Sequence, residues 1–375
     1  MIYLDSAATT ATRTEVLEAM WPYLTGEFGN PSSHHELGEA AARALEAARS
    51  RVAAWLGCRA SEVVFTSGGT EADNLAIKGI ALAEPRGRHI VTSAIEHEAV
   101  LESCDYLARH HGFEVTVLPV DAGGLVDAAA LESALRGDTT LVSIMFANNE
   151  MGAVQPIAAF ARLAHAVGAR FHTDAVQAAG SLELDVRRLG VDALSIAGHK
   201  LGAPKGVGAL FVRGRVPLEP LVHGGGQERG RRSGTENVAG AVGLAAAVDL
   251  ARAPVDPAVR DGFIAGVLAA VPGAMLTGPR ASRLASNASF CFPGTAGEAI
   301  LLELGRRGVI CSAGSACAVG NDEPSRVLLA MGIAPEVAQT AVRFSLDDAT
   351  TSAQLDRVVR DLAEAHAAVR GIGVR

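Results

Sequence analysis

The residues of this sequence that could do chemistry stand where short apolar runs end. His199-Lys200 closes the run Ser195-Ile196-Ala197-Gly198, with Gly202 and small residues through Gly208 behind it. A lysine at a buried strand end loses hydration, which lowers its pKa toward the range where a neutral amine attacks a carbonyl, as a Schiff-base lysine must. Read alone, an ordinary loop lysine is the commoner case. Val64-Phe65-Thr66-Ser67-Gly68-Gly69-Thr70-Glu71 runs from an apolar segment into a helix beginning near Glu71, so Gly68, Gly69 and Thr70 offer backbone amides to an anion. Neither G-x-G-x-x-G nor a P-loop lysine is present, which favours a single phosphate over a dinucleotide or a nucleoside triphosphate. A plain strand-to-helix turn is the alternative.

Asp174, in Phe171-His172-Thr173-Asp174-Ala175-Val176-Gln177, ends another apolar run, at the edge where open α/β sheets keep their ligands. Its carboxylate can hold a pyridinium nitrogen protonated or, more plainly, cap a helix. Gln177, three positions on, could face the same way to reach a ring oxygen. His97, in Ile95-Glu96-His97-Glu98-Ala99, could stack on a flat ring or shuttle a proton, and Asn148, in Asn148-Asn149-Glu150, could meet a ring hydroxyl. Alone, these last two are an ordinary structural histidine and a turn. Together, a lysine for an aldehyde, an acid for a ring nitrogen, an imidazole for a ring face and a Gly-Gly-Thr phosphate turn form one inventory, that of pyridoxal phosphate.

Such residues need a scaffold that brings strand ends together. Apolar runs at 63–66, 89–92, 113–120, 141–146, 169–172, 193–196 and 207–212 alternate with helical patterns, which predicts an α/β chain with a large, doubly wound, mostly parallel sheet. Before them, the first dozen residues read as an irregular arm and Thr14 as the cap of a helix running to Pro22. Residues 36–56, with Leu37, Ala41, Leu45, Ala48, Val52 and Trp55 at three- and four-residue spacing, read as a long helix. Alanine-rich 237–252 predicts a helix leading out of the large unit, and Pro254 and Pro257 mark a boundary. Beyond lie a helix, a strand at 288–292, a helix over 297–304, a Gly-Ser-Ala stretch around Cys317 and a terminal helix after Thr351, which together make a smaller α+β unit. The expected division is a large cofactor-binding domain at 13–252 and a small domain at 1–12 with 253–375, carrying the Cys317 loop.

At 375 residues with 49% hydrophobic, 20% charged and a net charge of −8, the chain is long enough for more than one domain, and its charge argues against direct nucleic-acid binding. Met1-Ile2-Tyr3-Leu4-Asp5 lacks a basic segment followed by an apolar stretch, and no run is long and uncharged enough to span a bilayer, so the expected setting is the cytoplasm, without a membrane role. Cys58, Cys104, Cys291, Cys311 and Cys317 form an odd, scattered set without a C-x-x-C pair, which indicates neither a disulfide framework nor a zinc or other metal site.

Taken in order, these blocks resemble the cysteine desulfurases of the NifS/IscS type, within the class V aminotransferase group of fold-type I pyridoxal phosphate enzymes. The resemblance rests on Tyr3-Leu4-Asp5-Ser6-Ala7-Ala8-Thr9-Thr10, Gly29-Asn30-Pro31-Ser32-Ser33, Thr66 to Glu71, Glu96-His97, Asn148-Asn149-Glu150-Met151-Gly152, His172 to Gln177 and His199-Lys200, over nearly the whole chain. It implies Lys200 as the lysine bonded to the cofactor, His97 stacked on it and Asp174 at the pyridine nitrogen. Gln177 and Asn148 would lie near the ring oxygen or substrate, Gly69, Thr70 and His199 at the phosphate, and Asn30 at the substrate. The block from Gly224 to Thr235 corresponds to a loop whose Thr235 reaches the neighbouring subunit's phosphate, which implies a homodimer. Arg343 matches the arginine for the substrate carboxylate, a role that suits a bidentate guanidinium. Cys317 matches the persulfide-forming nucleophile, whereas Cys311 reads as a buried small hydrophobe. Two departures stand out. Ala197 replaces a serine that often bonds the phosphate, and Ala313, Ala318 and Val319 stand where the family is richer in Ser and Thr.

The implied reaction turns L-cysteine into L-alanine. Lys200 removes the Cα proton, Asp174 supports the ring nitrogen, the Cys317 thiolate takes the sulfur as a persulfide, and His97 assists proton transfer. An acceptor protein such as an iron-sulfur scaffold would receive the sulfur, with thiolated tRNA and other thio-cofactors as further destinations. A selenocysteine lyase or another class V aminotransferase would keep Lys200 and Asp174 with a different acceptor. A cofactor-binding scaffold that docks sulfur acceptors is the non-enzymatic reading.

Overall fold

Seven apolar runs become seven strands of one sheet in the computed structural model, which describes residues 1–83, 85–251, 255–314 and 323–370. After a two-residue strand β1 (Ile2–Tyr3) they are β2 (Val63–Thr66), β3 (His89–Ser93), β4 (Glu114–Leu118), β5 (Thr139–Ser143), β6 (Arg170–Asp174), β7 (Ala193–Ala197) and β8 (Gly208–Val212). Their order across the sheet is β2-β8-β7-β6-β5-β3-β4. β8 runs antiparallel to both its neighbours, and every other adjacent pair is parallel. Except for the edge strand β4, which is half exposed, the strands are buried on both faces because both faces are covered. Val63, Phe65, Ala209 and Phe211 enter one core, while Val64, Leu210 and Val212 enter the other. The mostly parallel, doubly wound α/β expectation is met.

Helices α1 (Thr14–Thr25) and α2 (Glu36–Leu56) pack against the helix Val238–Asp249 on one face. That last helix is buried from Val238 to Val248, in keeping with its all-round Ala, Val and Gly composition. On the other face lie α3 (Gly69–Ala83) and α4 (Glu98–His111). α1 does not stop at Pro22 as the sequence suggested. Trp21 and Pro22 face solvent, so the amide that proline lacks leaves no buried gap, and the chain turns off only at Gly26, whose amide bonds Pro22 O. Nor does Thr14 cap the helix: it is the first helical residue, after Arg13.

A second apolar core joins Ile2 and Leu4 to residues from Phe263 to Val369. Its sheet pairs β10 (Asn287–Cys291) antiparallel with β12 (Ala341–Ser345) and with β9 (Met275–Leu276), and β1 pairs with β11 (Val309–Ile310). The first dozen residues are therefore not wholly irregular, since they begin as a strand and bridge Asp5 to Ser345. Phe263 meets Phe344 edge to face, with ring centroids 5.2 Å apart. Among the described residues no helix is long and apolar enough to cross a membrane.

One buried ion pair seats the segment before the Val238–Asp249 helix. Arg49 Nη1 and Nη2 donate to Glu228 Oε2 and Oε1 at 2.6 and 2.7 Å, and Phe65 N donates to the same carboxylate at 3.0 Å. Glu228 and Arg229 hold left-handed backbone, φ +48° and +59°, which non-glycine residues adopt only when their surroundings fix them. Glu228→Ala leaves buried Arg49 only the exposed Glu46 carboxylate as counter-ion, 3.2 Å from Nε, so urea unfolding should show a loss of about 3 kcal/mol. A loss below about 0.5 kcal/mol, the size of an exposed pair, would show that the contact does not seat this segment.

Candidate active site

The reversal at β8 fixes where the chemistry gathers. Because β8 runs against its neighbours, its first residue, Gly208, pairs with both Thr66 at the end of β2 and Ala197 at the end of β7. The glycine turn that opens α3 and the Gly198-His199-Lys200 turn thus lie side by side at the carboxyl edge. A side chain at 208 would put its Cβ 2.7 Å from Gly68 Cα and 2.7 Å from Ile196 O, so only glycine permits this approach. Asp174, at the end of β6, pairs with Ser195 on β7 and completes the row. His97 follows β3 as the N-cap of α4.

These elements enclose a cavity of about 590 Å³ lined by Gly69, Thr70, His97, Asp174, Gln177, His199, Lys200 and Arg343. Eight sequence-selected residues are thereby brought together. Lys200 Nζ donates to the carbonyls of Ala7 and Ala8, the latter at 2.7 Å, and Gln177 Nε2 donates to Ala7 O at 3.0 Å. His97 Nδ1 accepts from Ala99 N at 3.1 Å, so the neutral ring carries its proton on Nε2. As the first residues of α3, Gly69 and Thr70 have amides without an intrahelical acceptor. Arg343 donates to Asn149 O at 3.0 Å and to Asp5 Oδ1 at 2.8 Å.

Other selected residues lie elsewhere. Asn148 is buried outside the cavity wall: its amide donates to Ile95 O and Met145 Sδ and its oxygen accepts from Glu150 N and Met151 N. With its hydrogen bonds used to shape the turn, it cannot serve a ring hydroxyl or a substrate, and Asn149 lines the cavity instead. Asn30 is exposed and away from the cavity, and its side-chain oxygen accepts from Ser32 N to hold its own turn. Thr235 is exposed and outside this chain's cavity as well. Cys317 lies outside the described residues. On either side of it, Gly314 packs on Glu150, and Glu323 to Val327 line the cavity.

The cavity floor is acidic. Asp73, Glu96 and Asp174 all line it, all are buried, and Asp73 Oδ1 and Glu96 Oε2 have no hydrogen-bond partner among the described residues. Burial drives Asp73 well above the usual carboxylate range, the neighbouring Asp174 charge adds to this, and the Ser195 hydroxyl offsets part of it. Burial raises Asp174 too, against the Val176 amide, which donates to it at 2.8 Å, and the nearby His97 and Lys200. Behind them His172, bonded to Ser143 and Ser195 at 2.9 and 3.0 Å, is pushed down to about 3 by burial and stays neutral. His199, at about 4 through burial and the adjacent Lys200 and Lys205, is neutral also. A ligand that carries a cation over Asp174 and anions at α3 and Arg343 suits this pattern.

Sequence reasoning passed over Asp73, Glu96 and Asn149. Asp73 was findable, since it lies four residues after Gly69 and therefore on the same helical face. Glu96 directly precedes the selected histidine. Ser93 Oγ and Met145 N both donate to Glu96 Oε1, at 2.5 and 2.9 Å, yet burial lifts its carboxyl from 4.5 to about 8. Between those values the folded protein keeps a proton that the unfolded chain has lost, so this group's contribution to stability falls as pH rises. Glu96→Gln keeps both bonds on Oε1 and removes the titration. Its melting temperature relative to wild type should therefore be higher at pH 8 than at pH 5, by an amount worth a few kcal/mol, and parallel melting curves at the two pH values would refute a proton held on Glu96.

The profile of the family described as Aminotransferase class-V matches residues 2–358. A protein of Methanosarcina thermophila named Cysteine desulfurase IscS is 48% identical over 370 residues, covering 97% of this chain and 91% of the relative. A solved structure named NifS-like protein superposes with a TM-score of 0.90 at 37% identity, over 98% of this chain and 100% of its own. Another, described as SspA in complex with cysteine, has a TM-score of 0.82 at 37% identity, over 92% of this chain and 99% of its own. On the extent of these matches, the chain belongs to the class-V aminotransferase family.

Proposed function

We propose that this chain is a cysteine desulfurase that works with pyridoxal phosphate, turning L-cysteine into L-alanine and carrying the sulfur as a persulfide on Cys317. The observation that carries the reading is the meeting of Lys200, Asp174, His97 and the α3 N-terminus in one cavity that also holds Arg343. The desulfurase names of relatives 48% identical over nearly the whole chain support the substrate.

The residues fit the cofactor. Asp174, buried beside two further carboxyls, suits a protonated ring nitrogen. The Gly69 and Thr70 amides, with neutral His199, suit a phosphate, and a Cβ at 69 would fall 2.7 Å from Val176 Cγ2, so glycine keeps that turn tight. The His97 ring suits the face, and Asn149 and Gln177 are the amides at hand for a ring oxygen. Ala197 lines the cavity without a hydroxyl, which leaves this chain's share of the phosphate grip to the backbone, Thr70 and His199. When bound, pyridoxal phosphate supplies an aldehyde for the substrate amine and a ring that accepts the electron pair left at Cα.

Within that reading Arg343 holds the substrate carboxylate and Lys200 Nζ takes the Cα proton. The Cys317 thiolate attacks the substrate sulfur. An S–S bond forms as the Cβ–S bond breaks, the electron pair stays with carbon, and a proton completes the methyl group of alanine, with His97 placed to pass protons. The other cysteines support this choice of nucleophile. Burial pushes the thiols of Cys58, Cys104 and Cys311 up to about 12 and that of Cys291 to about 11, which keeps them protonated near neutral pH. The persulfide passes to an acceptor such as an iron-sulfur scaffold, in the cytoplasm.

We read residues 13–252 as the cofactor-binding domain and 1–12 with 253–375 as the smaller one. A homodimer completes the reading: Asn30 and Thr235, both exposed, would serve the partner's cavity. Leu17, Trp21, Leu24 and Phe28, exposed along α1 and just beyond it, offer an apolar face for the pairing. Holoenzyme given L-cysteine and a reducing thiol should release alanine and sulfide in equal amounts. Cys317→Ser should cut both by at least about 100-fold, keep the cofactor absorbance and lose the fastest-alkylating thiol at pH 7. Keto-acid release in place of alanine would indicate another class V reaction.

A further inference from the structure

Arg343 is 1% exposed, yet its guanidinium borders the cavity. A buried cation with several donors needs something to fix its plane before a carboxylate can meet it. Its Nη1 is held by Asn149 O and its Nη2 by Asp5 Oδ1, while Nε has no partner among the described residues. Asp5 is itself fixed at both sides. Ser345 N donates to Leu4 O at 2.8 Å, Ser6 N donates to Ser345 O at 3.3 Å, and Ala7 N donates to Ser345 Oγ at 2.9 Å, so the arm is laced to the strand that carries Arg343. Two and three residues further on, the carbonyls of Ala7 and Ala8 receive Lys200.

We propose that Asp5 is the positioning residue for substrate-carboxylate recognition: its hydrogen bond sets the guanidinium plane of Arg343 and leaves the free donors turned to the cavity. The inference rests on the desulfurase reading and adds a residue to it. What matters is an acceptor at that distance, since the backbone lacing of both partners leaves little room to adjust. Asn at position 5 keeps the acceptor without the charge. Glu keeps the charge but moves it by one methylene, and Ala has neither.

The test uses holoenzyme and reads equilibrium binding from the cofactor absorbance, with L-alanine as the carboxylate-bearing probe and cysteamine as the probe without a carboxylate, alongside KM and kcat for L-cysteine. Asp5→Ala and Asp5→Glu should weaken L-alanine binding and raise the KM roughly 10- to 100-fold, the effect of losing a hydrogen bond to a charged group, with kcat and cysteamine affinity little changed. Asp5→Asn should remain near wild type. Unchanged L-alanine affinity in the Ala and Glu variants, equal loss for cysteamine, or a Glu variant like wild type beside an Asn variant like Ala would overturn the assignment. Should Asp5→Ala not fold, the Asn and Glu variants decide alone. Failure of the wild-type holoenzyme to bind L-alanine or L-cysteine would instead overturn the desulfurase reading, and the inference with it.

Discussion

A carboxyl group taken out of water must give up its charge, collect hydrogen bonds or meet a cation, and this cavity gathers three such groups on one floor. Asp73, Glu96 and Asp174 come from a helix, a loop after β3 and the end of β6; burial raises all three, and the Asp174 charge raises Asp73 and Glu96 further. That arrangement is costly unless it serves a ligand with positive charge over Asp174. The carboxyl edge of the sheet, the reversal at β8 and the glycines at 68, 69 and 208 bring the anion-binding end of α3 and the Lys200 turn to the same floor. A ligand with a cation between two anions suits all of these charges at once.

The site also depends on contacts between the two ends of the chain. Ile2 and Leu4 sit in the core built by residues 263–369, and a few residues on Ala7 and Ala8 line the cavity. From there the arm meets Arg343 through Asp5, Lys200 and Gln177 through Ala7 and Ala8, and Gly202 through Thr10 Oγ1. Residues that form no regular element thus tie the Lys200 side of the cavity to the Arg343 side.

Much of this was legible in the sequence because it follows from local rules. Strands buried on both faces read as short apolar runs, and residues at their carboxyl ends are candidates by position alone, which located Lys200, Asp174 and His97. The Gly-Gly-Thr turn located the start of α3, though the helix begins at Gly69 rather than near Glu71. What stayed hidden depends on orientation or on distant partners. Asn148 and Asn149 are chemically identical, and only the turn geometry decides which one uses its amide internally. Asp73 and Glu96 were passed over because charge patterns do not reveal burial. Pro22 was read as a stop because nothing local says that its missing amide faces water. The match of Arg343 rested on family resemblance, since a strand arginine carries no local signal of its partner Asp5, which lies 338 residues away.

The central claim is that substrate sulfur rests on one cysteine of this chain while Lys200 handles the proton. Mass spectrometry after L-cysteine treatment without reductant tests it most directly. One additional sulfur on the peptide that carries Cys317 is expected, removable by a thiol and absent when Lys200 is replaced by alanine. Alanine formation with that peptide unmodified, or with the added sulfur on another cysteine, would contradict it.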